Sequence, residues 1–230
     1  MKKKSKIAIV IAAYNEGSVI EKVLTELKKS RPEDFIIVVD DGSADDTYEN
    51  ISKVKGVYLL RHLINLGQGA ALQTGIEMAK KLEATYVVTF DADGQHDAGD
   101  IDFFIDAMEK EDLDIAMGSR FLGIKNDIPL MKIIFLKLTT IFTRIVNGIQ
   151  LTDTHNGFRV INIKKFPQFK ITQNRMEHAS EIYDIIKQNN LKYKELPCHI
   201  YYSDYSKAKG QSLVNSINIL IEYFVQRIIK

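Results

Sequence analysis

Two aspartates separated by one residue, Asp91 and Asp93, end an apolar run and have the spacing of a metal-binding pair. In a strand, residues i and i+2 point to the same side. Adjacent carboxylates repel each other unless a cation lies between them, and hard oxygen ligands favour Mg²⁺ or Mn²⁺, which often bridge a protein to a substrate diphosphate. Gln95 and His96 follow closely enough to complete the shell. By itself, however, the spacing is also typical of an acidic turn.

Further polar residues follow two earlier apolar runs. Tyr14 and Glu16 come after the first run, and Asp40 and Asp41 come after the second. The Tyr14 ring could stack on a flat base, and a carboxylate such as Asp41 can accept a hydrogen bond from an imide N–H or a ribose hydroxyl. The segment 40–43 is also typical of a turn that leads into a helix. We expect one aspartate to serve each purpose.

A glycine-containing segment, Asn65–Gly69, precedes a predicted helix. Its glycines allow close backbone approach, but it lacks the G-x-G-x-x-G spacing of the dinucleotide-binding fingerprint. The helix N-terminus behind it either faces an anion or has a purely structural role, and the sequence leaves both interpretations open.

These residues need a scaffold, and the first 120 residues predict one by alternating β-rich runs with helical patterns. Strands are predicted at 7–13, 35–39, 57–60, 86–90 and 115–117, and helices at 18–29, 68–82 and 101–108. The alternation predicts an α/β fold in which helices cover both faces of a mostly parallel sheet. Ligands of such sheets bind beyond the carboxyl ends of the strands, where the polar clusters and Arg120 fall.

The second half carries two apolar helical patterns, at 131–146 and 213–229, in which lysine or arginine interrupts a broad apolar face. That combination is typical of helices lying in a membrane interface. Packing in the core or between two subunits is the alternative. No linker or repeat separates the halves, so we expect residues 1–230 to form one domain.

Composition excludes several classes. The 230 residues carry 31 Lys+Arg and 30 Asp+Glu, and a net charge of +1 disfavours a strongly basic nucleic-acid binder. Residues 1–115 hold 14 basic and 22 acidic side chains, and residues 116–230 hold 17 and 8, so the halves carry −8 and +9. This asymmetry indicates different partners for the two halves. A single cysteine, Cys198, excludes a disulfide framework, and no apolar run reaches membrane-spanning length.

Five ordered segments carry a family resemblance. They are VIAAYNE at 10–16, VVDDGSADDT at 38–47, NLGQG at 65–69, FDADGQ at 90–95 and GSRF at 118–121. Together they resemble the family-2 glycosyltransferases of the GT-A fold, which is Rossmann-like, and here C-terminal amphipathic helices would be added to it. The resemblance implies inverting sugar transfer from a nucleotide-sugar donor, UDP- or GDP-linked, with Mg²⁺ or Mn²⁺ as the cofactor.

The resemblance also implies roles for single residues. Nucleotide binding is assigned to Ala12, Tyr14, Glu16, Val39, Asp41, Asp91, Ala92 and Asp93. The metal ligands would be Asp91, Asp93 and Gln95, and residues 1–120 would form the nucleotide-sugar and metal half. Ala12 stands where the family often has proline.

The second half indicates a branch of that family. Asp153–Arg159 is similar to the D-x-x-x-G-F-R segment of polyprenyl-phosphate sugar synthases, the dolichol-phosphate mannosyltransferase-like branch. Residues 121–230 would then form the acceptor half, and Arg120, Arg159 and Lys207 would contact the acceptor phosphate. Leu213 stands where the branch has a lysine, and Lys209 is a candidate substitute. A surface ion pair is the alternative for each arginine.

The expected catalytic set is Asp91, Asp93, Arg120, Arg159 and Asp153. A polyprenyl (undecaprenyl) phosphate acceptor is already anionic and needs no general base, whereas a saccharide hydroxyl would need one, for which Asp153 is the nearest candidate. We expect a lipid-phosphate glycosyltransferase of cell-surface polysaccharide synthesis, peripheral on the cytoplasmic membrane face. Transfer to a saccharide in capsule or lipopolysaccharide assembly, or a non-catalytic nucleotide-sugar-binding partner of a membrane complex, are the alternatives. Homodimerisation and a small membrane-protein partner stay open.

Overall fold

The structure is a computed structural model that describes residues 5–123 and 130–201. Lys207 and the predicted helix 213–229 lie outside the described residues. In chain order the elements are β1 Ile7–Ala13, α1 Ile20–Ser30, β2 Phe35–Asp40, α2 Thr47–Ser52, β3 Val57–Arg61, α3 Gln68–Lys81, β4 Tyr86–Asp91, α4 Asp100–Glu111, β5 Ile115–Ser119, α5 Leu130–Asn147, β6 Arg159–Asn162, α6 His178–Gln188 and β7 Tyr193–Pro197.

Seven strands form one sheet in the order β3-β2-β1-β4-β6-β5-β7. All neighbouring pairs are parallel except those of β6, which runs antiparallel to both β4 and β5. The predicted mostly parallel sheet is therefore confirmed. The continuous apolar runs of its strands reflect burial on both faces.

Strand alternation divides the core into two layers. On one face, Ile9 and Ile11 of β1 pack with Leu24 of α1 and Phe104 of α4. On the other face, Val10 packs with residues of α3 and α6. The sheet is thus covered by helices on both sides, which leaves its strand ends as the edge where polar side chains gather.

The strand register sets which residues meet at that edge. Ala12 of β1 lies opposite Val39 of β2 on one side and opposite Asp91 of β4 on the other. Arg159, the first residue of β6, lies opposite Thr89 of β4 and Met117 of β5. The second half therefore contributes a strand beside the one that ends in the aspartate pair.

Sequence patterns locate the early elements well and miss two later strands. Strand β1 has the predicted bounds, and β2 to β5 and the helices α1, α3 and α4 begin or end within a few residues of prediction. The strands β6 and β7 were not predicted, because each has only four or five residues and lies in a segment of mixed polarity.

Helix α5 matches the predicted helix 131–146. Unlike an ordinary core helix, it turns several large apolar side chains away from the protein and buries threonines. Leu136 and three threonines, Thr139, Thr140 and Thr143, are buried against the protein. Three large apolar side chains of the predicted apolar face point outward, with exposed fractions of 46% for Ile134, 61% for Leu138 and 52% for Ile141. Of the helices in the described ranges, none is both long and apolar enough to cross a membrane.

Candidate active site

The site is built around the carboxylate pair that follows β4. Asp91 ends the strand and its side chain is 34% exposed, and its Oδ2 accepts a hydrogen bond of 2.8 Å from His96 Nε2. Asp93 lies in the turn, where its Oδ1 accepts from the backbone N–H of Gln95 at 3.1 Å and its Oδ2 from Gln95 Nε2 at 2.5 Å. The turn thus gathers both predicted carboxylate ligands and the predicted amide ligand.

The surroundings shift the pKa values of these two carboxyl groups in opposite directions. Burial opposes ionisation of Asp91, but His96, Arg159 and Arg120 outweigh it and hold the pKa of Asp91 below its usual value. Burial and the charge of Asp91 together raise the pKa of Asp93, and Glu16 adds to the effect. One carboxylate is therefore a stabilised anion, and the other bears the repulsion that a cation would relieve.

Gly157 packs directly on the carboxylate of Asp91. A Cβ atom placed on Gly157 would lie 2.5 Å from Oδ1 and 2.6 Å from Oδ2 of Asp91. The segment Asp153–Arg159 consequently approaches the carboxylate at a distance that only glycine permits. The sequence motif contained this glycine, but nothing in it indicated that Asp91 was its neighbour.

Arg120 and Asp153 form a buried ion pair. The Nε and backbone N–H of Arg120 donate to Asp153 Oδ2 at 2.6 and 3.1 Å, and Arg120 Nη2 donates to the carbonyl of His155 at 2.9 Å. The other oxygen of Asp153 accepts from the backbone N–H of His155 at 3.2 Å. Asp153 therefore acts as a counterion with both oxygens engaged, and a surface ion pair is excluded for Arg120 because both residues are buried.

Arg159 is buried at the start of β6, so a surface ion pair is excluded for it as well. Its guanidinium hydrogen-bonds to Tyr183, whose hydroxyl donates to the carbonyl of Thr154 at 2.7 Å. Burial lowers the pKa of His178 to about 4, and the positive charge of Arg159 adds to that shift. The site thus contains two buried guanidinium groups whose charge reaches Asp91.

Glu195 of β7 fixes the loop that carries Asp153. Its two carboxylate oxygens accept from the backbone N–H groups of Thr152 at 2.5 Å and Asp153 at 2.9 Å. Burial raises the pKa of Glu195 despite these bonds, and the charge of Asp153 adds to the rise. Sequence reasoning missed Glu195 because its strand was not predicted and its partners are more than 40 residues away.

Asp41, which the resemblance assigned to nucleotide binding, is bonded within the protein. Its side chain is buried, and it accepts from His62 Nδ1 at 2.7 Å, from the backbone N–H of Leu66 at 3.0 Å and from that of Gly67 at 2.7 Å. It therefore fixes the predicted Asn65–Gly69 segment. His62 gave no sequence signal, because it lies outside every motif that we identified.

Close contacts at Gly67 and Gly69 explain why the segment contains glycine at these two positions. A Cβ on Gly67 would lie 2.4 Å from the carbonyl oxygen of Asn174, and one on Gly69 would lie 2.0 Å from that of Gln173. The glycines therefore serve close packing against the residues that precede α6.

The remaining nucleotide-binding candidates lie along the same edge. Tyr14 is exposed, and the backbone N–H groups of Asn15 and Glu16 are held by Ser43 Oγ at 3.0 Å and Thr47 Oγ1 at 2.8 Å. The ends of β1 and β2 are tied together in this way. With Ala12, Val39 and Ala92 nearby in the sheet or turn, the predicted set is contiguous rather than scattered.

The donor set fits a hard divalent cation. Its atoms are carboxylate and amide oxygens, and Mg²⁺-type ions commonly bind one or two protein carboxylates together with substrate phosphates. Within residues 5–123 and 130–201, no group of three or more His, Cys, Asp or Glu side chains is arranged to hold a metal alone. A cation at Asp91 and Asp93 would therefore need further oxygens from a ligand.

Comparison with known proteins gives the class. The model of glycosyl transferase family 2 matches residues 8–169. The chain is 35% identical to an uncharacterized protein of Methanocaldococcus jannaschii, over 98% of this chain and 93% of that protein. This protein belongs to glycosyl transferase family 2, as its ordered motifs predicted.

A second relative identifies the branch. The chain is 31% identical to the UDP-N-acetylglucosamine–dolichyl-phosphate N-acetylglucosaminyltransferase of Methanococcus voltae, over 93% of this chain and 92% of that enzyme. The predicted resemblance to the polyprenyl-phosphate sugar synthase branch is thereby confirmed.

A solved structure confirms the GT-A fold. Glucosyl-3-phosphoglycerate synthase from Mycobacterium tuberculosis, crystallised with Mn²⁺ and UDP-glucose, superposes with a TM-score of 0.69 over 97% of this chain and 79% of that one, at 16% identity. At this identity the likeness concerns the fold.

The Arg120–Asp153 pair gives a stability prediction. Asp153→Asn removes the carboxylate from a buried guanidinium, and breaking a buried pair in this way typically costs about 3–5 kcal/mol. We expect a loss of that size in the free energy of unfolding, measured by urea denaturation. Asp34→Asn is the matched control, because Arg31 keeps a second carboxylate, Asp102, at 2.7 Å. Equal losses in the two variants would contradict the assignment.

Proposed function

We propose that the protein transfers a sugar from a nucleotide-sugar donor to a polyprenyl phosphate, with Mg²⁺ or Mn²⁺ at the Asp91–Asp93 pair. The observation that carries the proposal is the combination of this carboxylate pair with two buried guanidinium groups, Arg120 and Arg159, at one edge of the sheet. A diphosphate and a second phosphate at one site require these two kinds of charge.

The donor would lie along the ends of β1, β2 and β4. Tyr14 would stack on the base, Asp91 and Asp93 would hold the cation, and Gln95 would supply a further oxygen. When bound, the cation neutralises the charge that develops on the leaving nucleotide diphosphate. The relative from Methanococcus voltae is named for a UDP-sugar donor, which favours UDP over GDP here.

The acceptor is the step at which the two enzyme hypotheses differ. A saccharide hydroxyl needs a carboxylate base, but Asp153 has both oxygens bound to N–H groups of Arg120 and His155. A phosphate monoester already carries its nucleophilic charge, and it needs only to be oriented opposite the leaving group. The engagement of Asp153 therefore favours a phosphate acceptor.

In the proposed reaction, the residues of the chain bind the two substrates and orient them. Arg120 and Arg159 would draw the acceptor phosphate towards the sugar, with Lys207 as a further cation. Tyr183 and Asp153 fix the two guanidinium groups, so that little reorganisation is needed when the phosphate enters.

The outward face of α5 supports a membrane-bound acceptor. Ile134, Leu138 and Ile141 are spaced as successive turns of one helix face, and Lys137 beside them is exposed. Apolar side chains with adjacent lysine suit the boundary between anionic headgroups and acyl chains. We propose that the protein attaches peripherally through this face to the cytoplasmic surface of the membrane. Its product would be used in cell-surface polysaccharide assembly.

The function is tested by product formation. Purified enzyme incubated with UDP- and GDP-sugars, Mn²⁺ and undecaprenyl or dolichyl phosphate should form a lipid-linked sugar. We expect Asp91→Asn and Asp93→Asn to lower turnover by about 10²-fold or more, the loss typical of removing an electrostatic contact to developing charge. Asp106→Asn, an exposed aspartate of α4, is the matched control and should retain activity.

Two results would reject the proposal. Transfer to a saccharide acceptor but to no polyprenyl phosphate would favour the capsule or lipopolysaccharide alternative. Donor binding without any transfer or donor hydrolysis would favour a non-catalytic partner.

The membrane face is tested with vesicles. Burial of a leucine or isoleucine side chain contributes about 1.5–3 kcal/mol, so Leu138→Asp should lower binding to phosphatidylglycerol vesicles about tenfold or more in sedimentation. Phe103→Asp replaces another exposed apolar residue, on α4, and should bind like the wild type. Unchanged binding of the Leu138 variant, or a dimer that it dissociates, would contradict the membrane assignment.

A further inference from the structure

We propose that His96 is a positioning residue that fixes the carboxylate of Asp91 for cation binding. The inference rests on the metal site of the proposed function and goes beyond it, because no motif gave His96 a role other than that of a candidate ligand. Its basis is the 2.8 Å hydrogen bond between His96 Nε2 and Asp91 Oδ2.

The surroundings of His96 make direct metal ligation by this residue the weaker interpretation. The residue is 7% exposed, and its ring packs in a cluster with Phe90 and Phe158, whose centroids are 5.3 and 5.4 Å away. Its Nε2 donates to Asp91, and its Nδ1 is buried with no hydrogen-bond partner among residues 5–123 and 130–201. The ring nitrogen that faces Asp91 is therefore Nε2, which lies at hydrogen-bond distance from the carboxylate.

Asp91 is therefore restrained from two sides. His96 binds Oδ2, and the backbone at Gly157 leaves no room for even a Cβ atom next to either oxygen. Rotation of the side chain away from this position would break the hydrogen bond to His96. Residues that orient ligands from outside the coordination shell typically affect metal affinity about 10- to 100-fold.

Asp93 is held differently, because within the described part of the chain both hydrogen bonds to its side chain come from Gln95, two residues away. The two aspartates thus have different parts. Asp91 is the ligand that is held in position before a cation binds. Asp93 is the ligand whose position changes, together with its turn, when a cation binds.

The backbone next to His96 shows how the ring is kept in place. His96 forms an isolated antiparallel bridge with Ile200, and the N–H of Tyr201 donates to the carbonyl of Gln95 at 2.8 Å. The segment that follows β7 therefore stabilises the turn from outside, and a change at the His96 ring need not unfold it.

The test is Mn²⁺ affinity, measured from the free-Mn²⁺ electron paramagnetic resonance signal in the presence of UDP and again of GDP. His96→Phe keeps an aromatic ring and removes the donor, and we expect the dissociation constant to rise about tenfold or more. His96→Gln places an amide N–H the same number of bonds from the backbone, and it should restore affinity to within about threefold of the wild type.

Matched controls separate this inference from the proposed function. His199→Phe removes a similar 2.8 Å histidine–aspartate hydrogen bond, to Asp100, and should leave Mn²⁺ affinity unchanged. Asp91→Asn should abolish binding. If His96→Phe does not fold, as judged by circular dichroism, then His96→Met replaces it as the donor-free partner of the glutamine variant.

Each outcome is decisive. Wild-type affinity in the donor-free variant, with binding lost in Asp91→Asn, would overturn the positioning role and leave the metal site intact. Equal loss in His96→Phe and His96→Gln would also overturn it. A wild-type protein that binds no Mn²⁺ with either nucleotide would overturn both the metal site and this inference.

Discussion

The repulsion between two carboxylates, Asp91 and Asp93, is the constraint on which the arrangement of the site depends. The protein balances the first with a histidine hydrogen bond and two guanidinium charges, and it leaves the second with a raised pKa. A cation bound between the two carboxylates, as we propose, would relieve the repulsion that raises the pKa of Asp93.

The sheet topology makes this balance achievable. Strand β6 enters between β4 and β5 and brings Arg159 beside the strand that ends in Asp91. Glu195 of β7 holds the loop whose Asp153 pairs with Arg120. The acidic first half and the basic second half of the sequence therefore contribute strands to one sheet. Part of the charge asymmetry between them comes from oppositely charged side chains that lie near each other at the site.

The sequence predicted well what depends on local pattern. Apolar runs marked β1 to β5, and the ordered motifs indicated the family and the position of the site. Contacts between distant segments were not predictable in this way. The partnership of Arg120 with Asp153, the approach of Gly157 to Asp91 and the capture of Asp41 by His62 each join residues 21 to 66 positions apart. Helix α5 shows a further limit, since its apolar periodicity indicated an amphipathic helix but not which side would face the protein.

In the proposed function, the aspartate pair holds a diphosphate only through a divalent cation. Isothermal titration of the wild-type protein with UDP and GDP, in Mn²⁺ and then in excess EDTA, tests it most directly. We expect one of the two nucleotides to bind in Mn²⁺ and its binding to be lost in EDTA. Equal affinity under both conditions, or binding in neither, would contradict it.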